Sequence, residues 1–151
     1  MINQISIKTK FGWISAYETS GKIFKIQFGK LKKQKKSKIL KKFRTSLFKF
    51  LVNSEDHIKI PYRTNGNLIQ KKIWSELKKI KKGHTKSYSE IAKKFKLHPR
   101  HIGKICAQNK LLLLIPCHRV IRKDGTLGGF TSLGGLKLKR KILKFEKMQN
   151  F

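Results

Sequence analysis

Apolar positions follow two different rhythms along this chain. Over its first third they come in short runs, at Ile5–Ile7, Gly12–Tyr17 and Lys22–Phe28, apolar or alternating, split by Lys/Gly and Ser-Gly turn residues. Such runs predict strands. From Ser37 to Val52 the spacing changes: Ile39, Leu40, Phe43, Leu47 and Leu51 recur at helical intervals with lysines between them. The pattern breaks at Thr64-Asn65-Gly66-Asn67, a cluster of turn formers that predicts a domain boundary. The expected division is a small α/β domain over residues 1–65 and a second domain over 66–151.

Beyond the break, Ile69, Ile73, Leu77 and Ile80, with Trp74, predict an amphipathic helix ending near Gly83. Ser87 and Glu90 stand three apart as a capping box, opening a helix over Ile91 and Ala92. Pro99 suits the first position of another helix, running to about Gln108. Two short helices joined by a tight turn predict a helix-turn-helix. Leu111–Ile115 reads as a buried strand halted by Pro116. His118–Arg122 and Thr126–Gly128 flank Asp124-Gly125 as a hairpin would. Gly134-Gly135 precedes a last helix with Leu138, Ile142 and Phe145 on one face. The fold class is α+β, an α/β N-terminal domain followed by a mostly helical one.

Charge changes the picture. Thirty-eight Lys and Arg face seven Asp and Glu, for a formal net charge of +31. That excess predicts a polyanionic partner, because each phosphate neutralised releases counterions. A compositional bias toward lysine supplies part of it, but the positive field is there either way. The run from Lys30 to Lys42 reads first as a solvated face. Two cysteines, Cys106 and Cys117, are too few for a disulfide framework. The N-terminus has no signal-peptide pattern, and no window approaches the roughly 20 apolar residues of a membrane span. An intracellular, cytoplasmic monomer with reduced thiols, no metal, no cofactor and no membrane partner is expected.

The candidate chemistry lies in Ile115-Pro116-Cys117-His118-Arg119-Val120. A cysteine after an apolar run and a proline sits at a rigid, shielded corner. The adjacent histidine is the side chain best suited to take a proton near neutral pH, and a thiol becomes a strong nucleophile once ionised. Taken alone, the pair leaves a buried structural cysteine as the alternative, and a basic helix-turn-helix binder with an inert cysteine stays open with it.

With its flanks, the string PCHRV at 116–120 resembles the hallmark of the O6-alkylguanine-DNA alkyltransferases. The resemblance covers about Ile69 to Lys147, and the N-terminal part resembles that family's ribonuclease-H-like companion domain only loosely. It implies double-stranded DNA containing O6-alkylguanine as partner, and direct, single-turnover alkyl transfer to the protein's own cysteine, with alkylated thymine a further substrate to consider. By position, Cys117 corresponds to the alkyl acceptor, His118 to the histidine acting on it through a bridging water, and Glu146 to the glutamate orienting that histidine. Glu146 sits at the edge of the last helix's apolar face and is one of only seven acids. Tyr88 corresponds to the tyrosine that helps rotate the nucleotide and offers its hydroxyl to the purine. Arg100 corresponds to the arginine finger that fills the gap left by a flipped base, whose alkyl carbon is unreachable inside the stack.

Gly103 and Ala107 share the face of Arg100 and are small enough to let the helix approach a groove floor, with Lys104 beside them. Asn109 corresponds to a hinge asparagine, Arg119 is taken as a further DNA contact, and Val120, Gly129 and Phe130 correspond to walls of the alkyl pocket. The chain departs from the pattern too. Phe130 stands where many members carry Tyr. The loop from Phe130 to Gly134 is about two residues longer, the stretch from Tyr88 to Arg100 about two shorter, and His101 and Lys104 replace smaller residues. These changes bear on substrate range and groove fit. A member without the cysteine would only bind, and this chain has it.

Overall fold

The computed structural model describes residues 1–128 and 135–147. They divide into two compact units, one of residues Met1–Asn65 with Lys110–Leu114, the other of Gly66–Asn109 with the chain from Ile115 onward. The sequence places Lys110–Leu114 in the second domain; in the structure this short segment belongs with the first.

In the first unit, β1 (Asn3–Thr9), β2 (Gly12–Thr19) and β3 (Lys22–Phe28) form an antiparallel meander in the order β1-β2-β3. Gly12 and Gly21 take positive φ at the two turns, where a side chain would be strained. One face of the sheet presents Ile5, Ile7, Ile14, Ala16, Ile26 and Phe28, all buried. Helix α1 (Lys38–Leu51) packs on the sheet with Leu40, Phe43, Leu47, Phe50 and Leu51 buried. It starts where the Ser37 side chain accepts from Leu40 N–H, an N-cap. Isolated bridges meet both sheet edges: Gln4 with Lys35 on β1, and Ile23 with Tyr62 and Ile26 with Leu111 on β3.

The Ile26–Leu111 bridge explains a difference from the sequence. Leu111–Ile115 is buried throughout, as expected, but it is not a strand. After the bridge the chain turns, with Leu113 at φ +66 and Leu114 N–H donating to the Leu112 carbonyl. Five apolar residues report burial, and burial alone does not set backbone direction.

In the second unit, α2 (Leu68–Leu77) opens with a capping box in which Asn67 and Gln70 each bond the other's backbone N–H. It ends at Leu77, earlier than the expected Gly83. Ile80 stays buried, so the apolar rhythm outlasts the helix. Trp74 donates from Nε1 to the Ile105 carbonyl at 3.1 Å, and Gly66 is small because a Cβ there would run into the Trp74 ring. Helix α3 (Tyr88–Phe95) opens on the Ser87–Glu90 capping box and closes at Lys96, in the left-handed region at φ 56. After Leu97, His98 caps α4 (Pro99–Ala107), its Nδ1 accepting from Arg100 N–H, with Pro99 in the first turn. Helices α3 and α4 pack together across this three-residue connection. The last helix, α5 (Gly135–Lys147), buries Leu138, Lys139, Ile142, Phe145 and Glu146.

The Asp124-Gly125 turn is present, closed by Arg122 N–H to the Thr126 carbonyl and by Asp124 Oδ1 accepting from Thr126. Its arms do not form the expected hairpin. Cys117–Arg119 winds into a 3-10 turn, and β5 (Val120–Ile121) pairs in parallel with β4 (Lys86–Ser87). The Asp-Gly pair fixes a local reversal and says nothing of what its flanks pair with.

Candidate functional site

Backbone geometry sets the Cys117 corner. Pro116, at φ −79 and ψ 63, is the centre of an inverse γ-turn closed by Cys117 N–H to the Ile115 carbonyl at 2.8 Å. The proline ring holds φ near that value already. The following 3-10 turn places Cys117, His118 and Arg119 side by side, all buried. Asn109, just past α4, donates its Nδ2–H to the Ile115 carbonyl at 2.9 Å, which ties the end of α4 to the start of the corner.

Behind the corner is a buried ionic cluster. Glu146 and His118 are both fully shielded from solvent, and Arg119 is 1% exposed. Arg119 grips both Glu146 oxygens, from Nε at 3.0 and 3.2 Å and from Nη2 at 2.6 Å, and its Nη1 donates to the Ile80 carbonyl at 2.7 Å. Burial pushes the Glu146 carboxyl up, but His118 and Arg119 outweigh it and hold the group at about 2, so it is ionised at neutral pH. His118 is pushed below its ordinary value, first by burial, with the Arg119 and Lys139 charges adding to the push against the pull of Glu146. At neutral pH the ring is therefore uncharged.

These two facts settle the tautomer. His118 Nε2 lies 3.0 Å from Glu146 Oε1. A carboxylate accepts only, so Nε2 carries the proton and Nδ1 keeps its lone pair. Nδ1 is buried and has no hydrogen-bond partner among the described protein groups. The ring next to Cys117 thus offers an unoccupied basic nitrogen. Arg119 differs from the sequence expectation. Its guanidinium is committed inside the protein to Glu146 and Ile80, so it does not face DNA. An arginine beside a catalytic-looking pair reads as a surface contact only while its buried counter-charge is unseen.

Burial pushes the Cys117 thiol up, opposed by the Asn109 side chain and the Lys139 charge. Lys139 is the residue that the sequence reading missed. Its ammonium is fully buried and donates to the carbonyls of Val120 at 2.8 Å and Leu127 at 2.7 Å, with Tyr88 Oη at 3.5 Å. Burial lowers it to about 8. A signal existed: Lys139 stands seven residues before Glu146 on α5, which puts both on one helix face. In a chain with this much lysine, one more carried no weight.

Tyr88, at the start of α3, is half-buried, and burial pushes its hydroxyl up to about 12. Gly128, itself at φ +73, makes room for the Tyr88 ring: a Cβ there would lie 2.9 Å from the ring, whereas one on Gly103 would make an ordinary contact at 3.9 Å. Arg100, Gly103, Lys104 and Ala107 line one face of α4, and Arg100, Lys104 and Ala107 are exposed, while Ile102, Ile105 and Cys106 are buried on the other. The Arg100 guanidinium makes no hydrogen bond or ion pair among the described residues. Val120 is fully buried in β5. Gly129 and Phe130 lie outside the described residues, and so does the longer loop to Gly134. Among the described residues no group of three or more His, Cys, Asp or Glu is placed to hold a metal ion, and no helix is long and apolar enough to cross a membrane.

Residues 68–148 match the family model described as 6-O-methylguanine DNA methyltransferase, DNA binding domain. The chain belongs to this family. Along nearly its whole length it is similar to a methylated-DNA–protein-cysteine methyltransferase of Metallosphaera sedula, 34% identical over 97% of this chain and 94% of the relative. A protein of that name from Methanocaldococcus vulcanius is 36% identical over 84% of this chain and 79% of its own length. Among solved structures, a Mycobacterium tuberculosis OGT in complex with DNA superposes with a TM-score of 0.83 at 22% identity, covering 97% of this chain and 93% of that one. An O6-methylguanine DNA methyltransferase of Methanococcus jannaschii gives 0.69 at 26% identity over 95% and 93%. As a member of this family, the chain shares its mixed α and β architecture with a small antiparallel sheet.

Proposed function

We propose that this methyltransferase-family chain repairs DNA by moving an alkyl group from O6-alkylguanine onto Cys117, each molecule acting once. The observation that carries the reading is the buried chain of contacts behind Cys117. Arg119 keeps Glu146 ionised, Glu146 fixes the His118 proton on Nε2, and Nδ1, on the residue that follows Cys117, is left without a hydrogen-bond partner among the described residues.

In the reaction the Cys117 thiol gives its proton to His118 Nδ1 through a bridging water. The thiolate attacks the alkyl carbon, forming a C–S bond as the C–O6 bond breaks. The guanine oxyanion takes back a proton from the Tyr88 hydroxyl. Asn109 holds the corner and, with Lys139, favours the thiolate. The shared face of α3 and α4 fits a helix-turn-helix, with Arg100 entering the duplex and Gly103, Lys104 and Ala107 against the groove. Val120 walls the alkyl pocket. Residues 1–65, joined by 110–114, act as the ribonuclease-H-like companion domain and the rest of 66–151 as the repair domain.

The test is intact mass after incubation with an O6-methylguanine oligonucleotide, followed by peptide mapping. One methyl group on the peptide holding Cys117 is expected. Methyl on Cys106, or none, overturns the assignment.

A further inference from the structure

Five lysines and one glutamate line a concave surface in the first unit. Its cavity, of about 470 Å³, is walled by Lys38, Lys41, Lys42 and Lys49 of α1, with Thr45 and Ser46, and by Glu55 and Lys59 beyond the helix. Glu55 is paired to Lys59 at 3.2 Å, while the four α1 lysines have no ion pair among the described residues. Helix α1 contains no acid anywhere. Lys38 opens the helix, and Lys41 and Lys42 follow at three and four residues, so like charges are neighbours on one face. Cations at a helix N-terminus also oppose its dipole. Both arrangements are locally unfavourable, and a row of phosphates relieves both, since the lysines and the helix N-terminus then face negative charge.

We propose that this face of α1 is a second contact for the phosphodiester backbone of nucleic acid, separate in sequence from the 68–148 stretch that defines the family. Recognition is by charge, so it is indifferent to sequence and to the lesion. The occupant is the backbone of duplex DNA, whose closely spaced phosphates match a row of lysines. The proposal takes its class of partner from the repair reading, and none of its residues takes part in alkyl transfer.

The experiment compares the full chain with the Lys38→Gln/Lys41→Gln/Lys42→Gln/Lys49→Gln variant. A control, Lys8→Gln/Lys10→Gln/Lys22→Gln/Lys32→Gln, removes the same charge elsewhere in the unit. Each is titrated with a short lesion-free duplex, the matching single strand, and phosphatidylserine/phosphatidylcholine vesicles, between about 0.05 and 0.2 M salt. The α1 variant should bind nucleic acid at least about tenfold more weakly, with a salt slope shallower by roughly 2 to 4. The control should lose under about threefold. Equal loss in both variants overturns the proposal in favour of diffuse charge; loss toward vesicles alone overturns it in favour of a lipid surface. Alkyl uptake from free O6-benzylguanine, followed by mass, checks that both variants are folded. If the wild type takes up no methyl group from an O6-methylguanine oligonucleotide, the repair reading fails, while the titrations still decide this one.

Discussion

Cys106 and Cys117 invite comparison because they share so much. Both are buried, both thiols are pushed up by burial, Cys106 to about 12, and both feel the Lys139 charge. Burial and raised pKa therefore do not mark a nucleophile. The difference is in what lies beside each sulfur. Cys106 sits on the buried face of α4 among Ile102 and Ile105. Cys117 sits on a turn held by Pro116 and Asn109, next to a histidine whose tautomer is fixed from behind. A thiol that is protonated at rest becomes reactive only where a base can take its proton at the moment of attack.

The strongest attempt to break this contrast exchanges the sulfurs for oxygen. Cys117→Ser should take up no alkyl group from an O6-methylguanine duplex yet still bind it, while Cys106→Ser should reach the wild-type end point of one alkyl per chain by mass. Uptake by Cys117→Ser would remove the contrast altogether. Next, His118→Gln should slow transfer by about 10²- to 10⁴-fold, on duplex and free O6-benzylguanine alike, in single-turnover assays. An unchanged rate would mean that the fixed tautomer is structural only.

Glu146→Ala probes the support behind the base. It strands the Arg119 charge in the interior, so unfolding in urea should show a loss of about 3–5 kcal/mol, against little change for Cys106→Ser. Arg100→Ala should leave both thiols and the ionic cluster intact. It should slow duplex repair by one to two orders of magnitude, given a flipping cost of a few kcal/mol, and spare transfer from the free base. A profile matching His118→Gln would remove the finger role and leave Arg100 a structural or general phosphate contact.

The smallest effect is with pH. Glu146 is held at about 2 against an ordinary 4.5, so its stabilisation is complete above pH 4.5 and lost as pH falls toward 2. His118 lies below its ordinary 6.5, so its contribution is complete above pH 6.5 and declines as pH falls. Both make the protein less stable in acid. Urea midpoints should fall as pH drops from 7 to 4, and His118→Gln should flatten the upper part of that curve.

Much of this was legible in the sequence because the signals are local. The Ser87–Glu90 box, Pro99 and the rhythm of Leu138, Ile142 and Phe145 each depend on neighbours within a turn or two, and their helices are present. Cys117 and His118 stood out through their flanking string. What the sequence hid depends on residues far apart. Arg119 reads as a DNA contact until Glu146, 27 positions on, is seen against it. Lys139 reads as one lysine among many until the carbonyls of Val120 and Leu127 surround it. The Leu111–Ile115 run reads as a strand because apolarity reports burial but not the positive φ at Leu113.

The Ile26–Leu111 bridge bears on how the chain is made. The free edge of β3 is met by residues 61–63 and again by 110–112. A ribosome delivers the first of these soon after the sheet and the second only after α2, α3 and α4 have been synthesised. The N-terminal unit therefore cannot complete itself as it emerges, although its strands and α1 are contiguous. A nascent chain stalled before residue 110 would hold its meander and α1 with part of the β3 edge bare, a surface open to pairing with other chains.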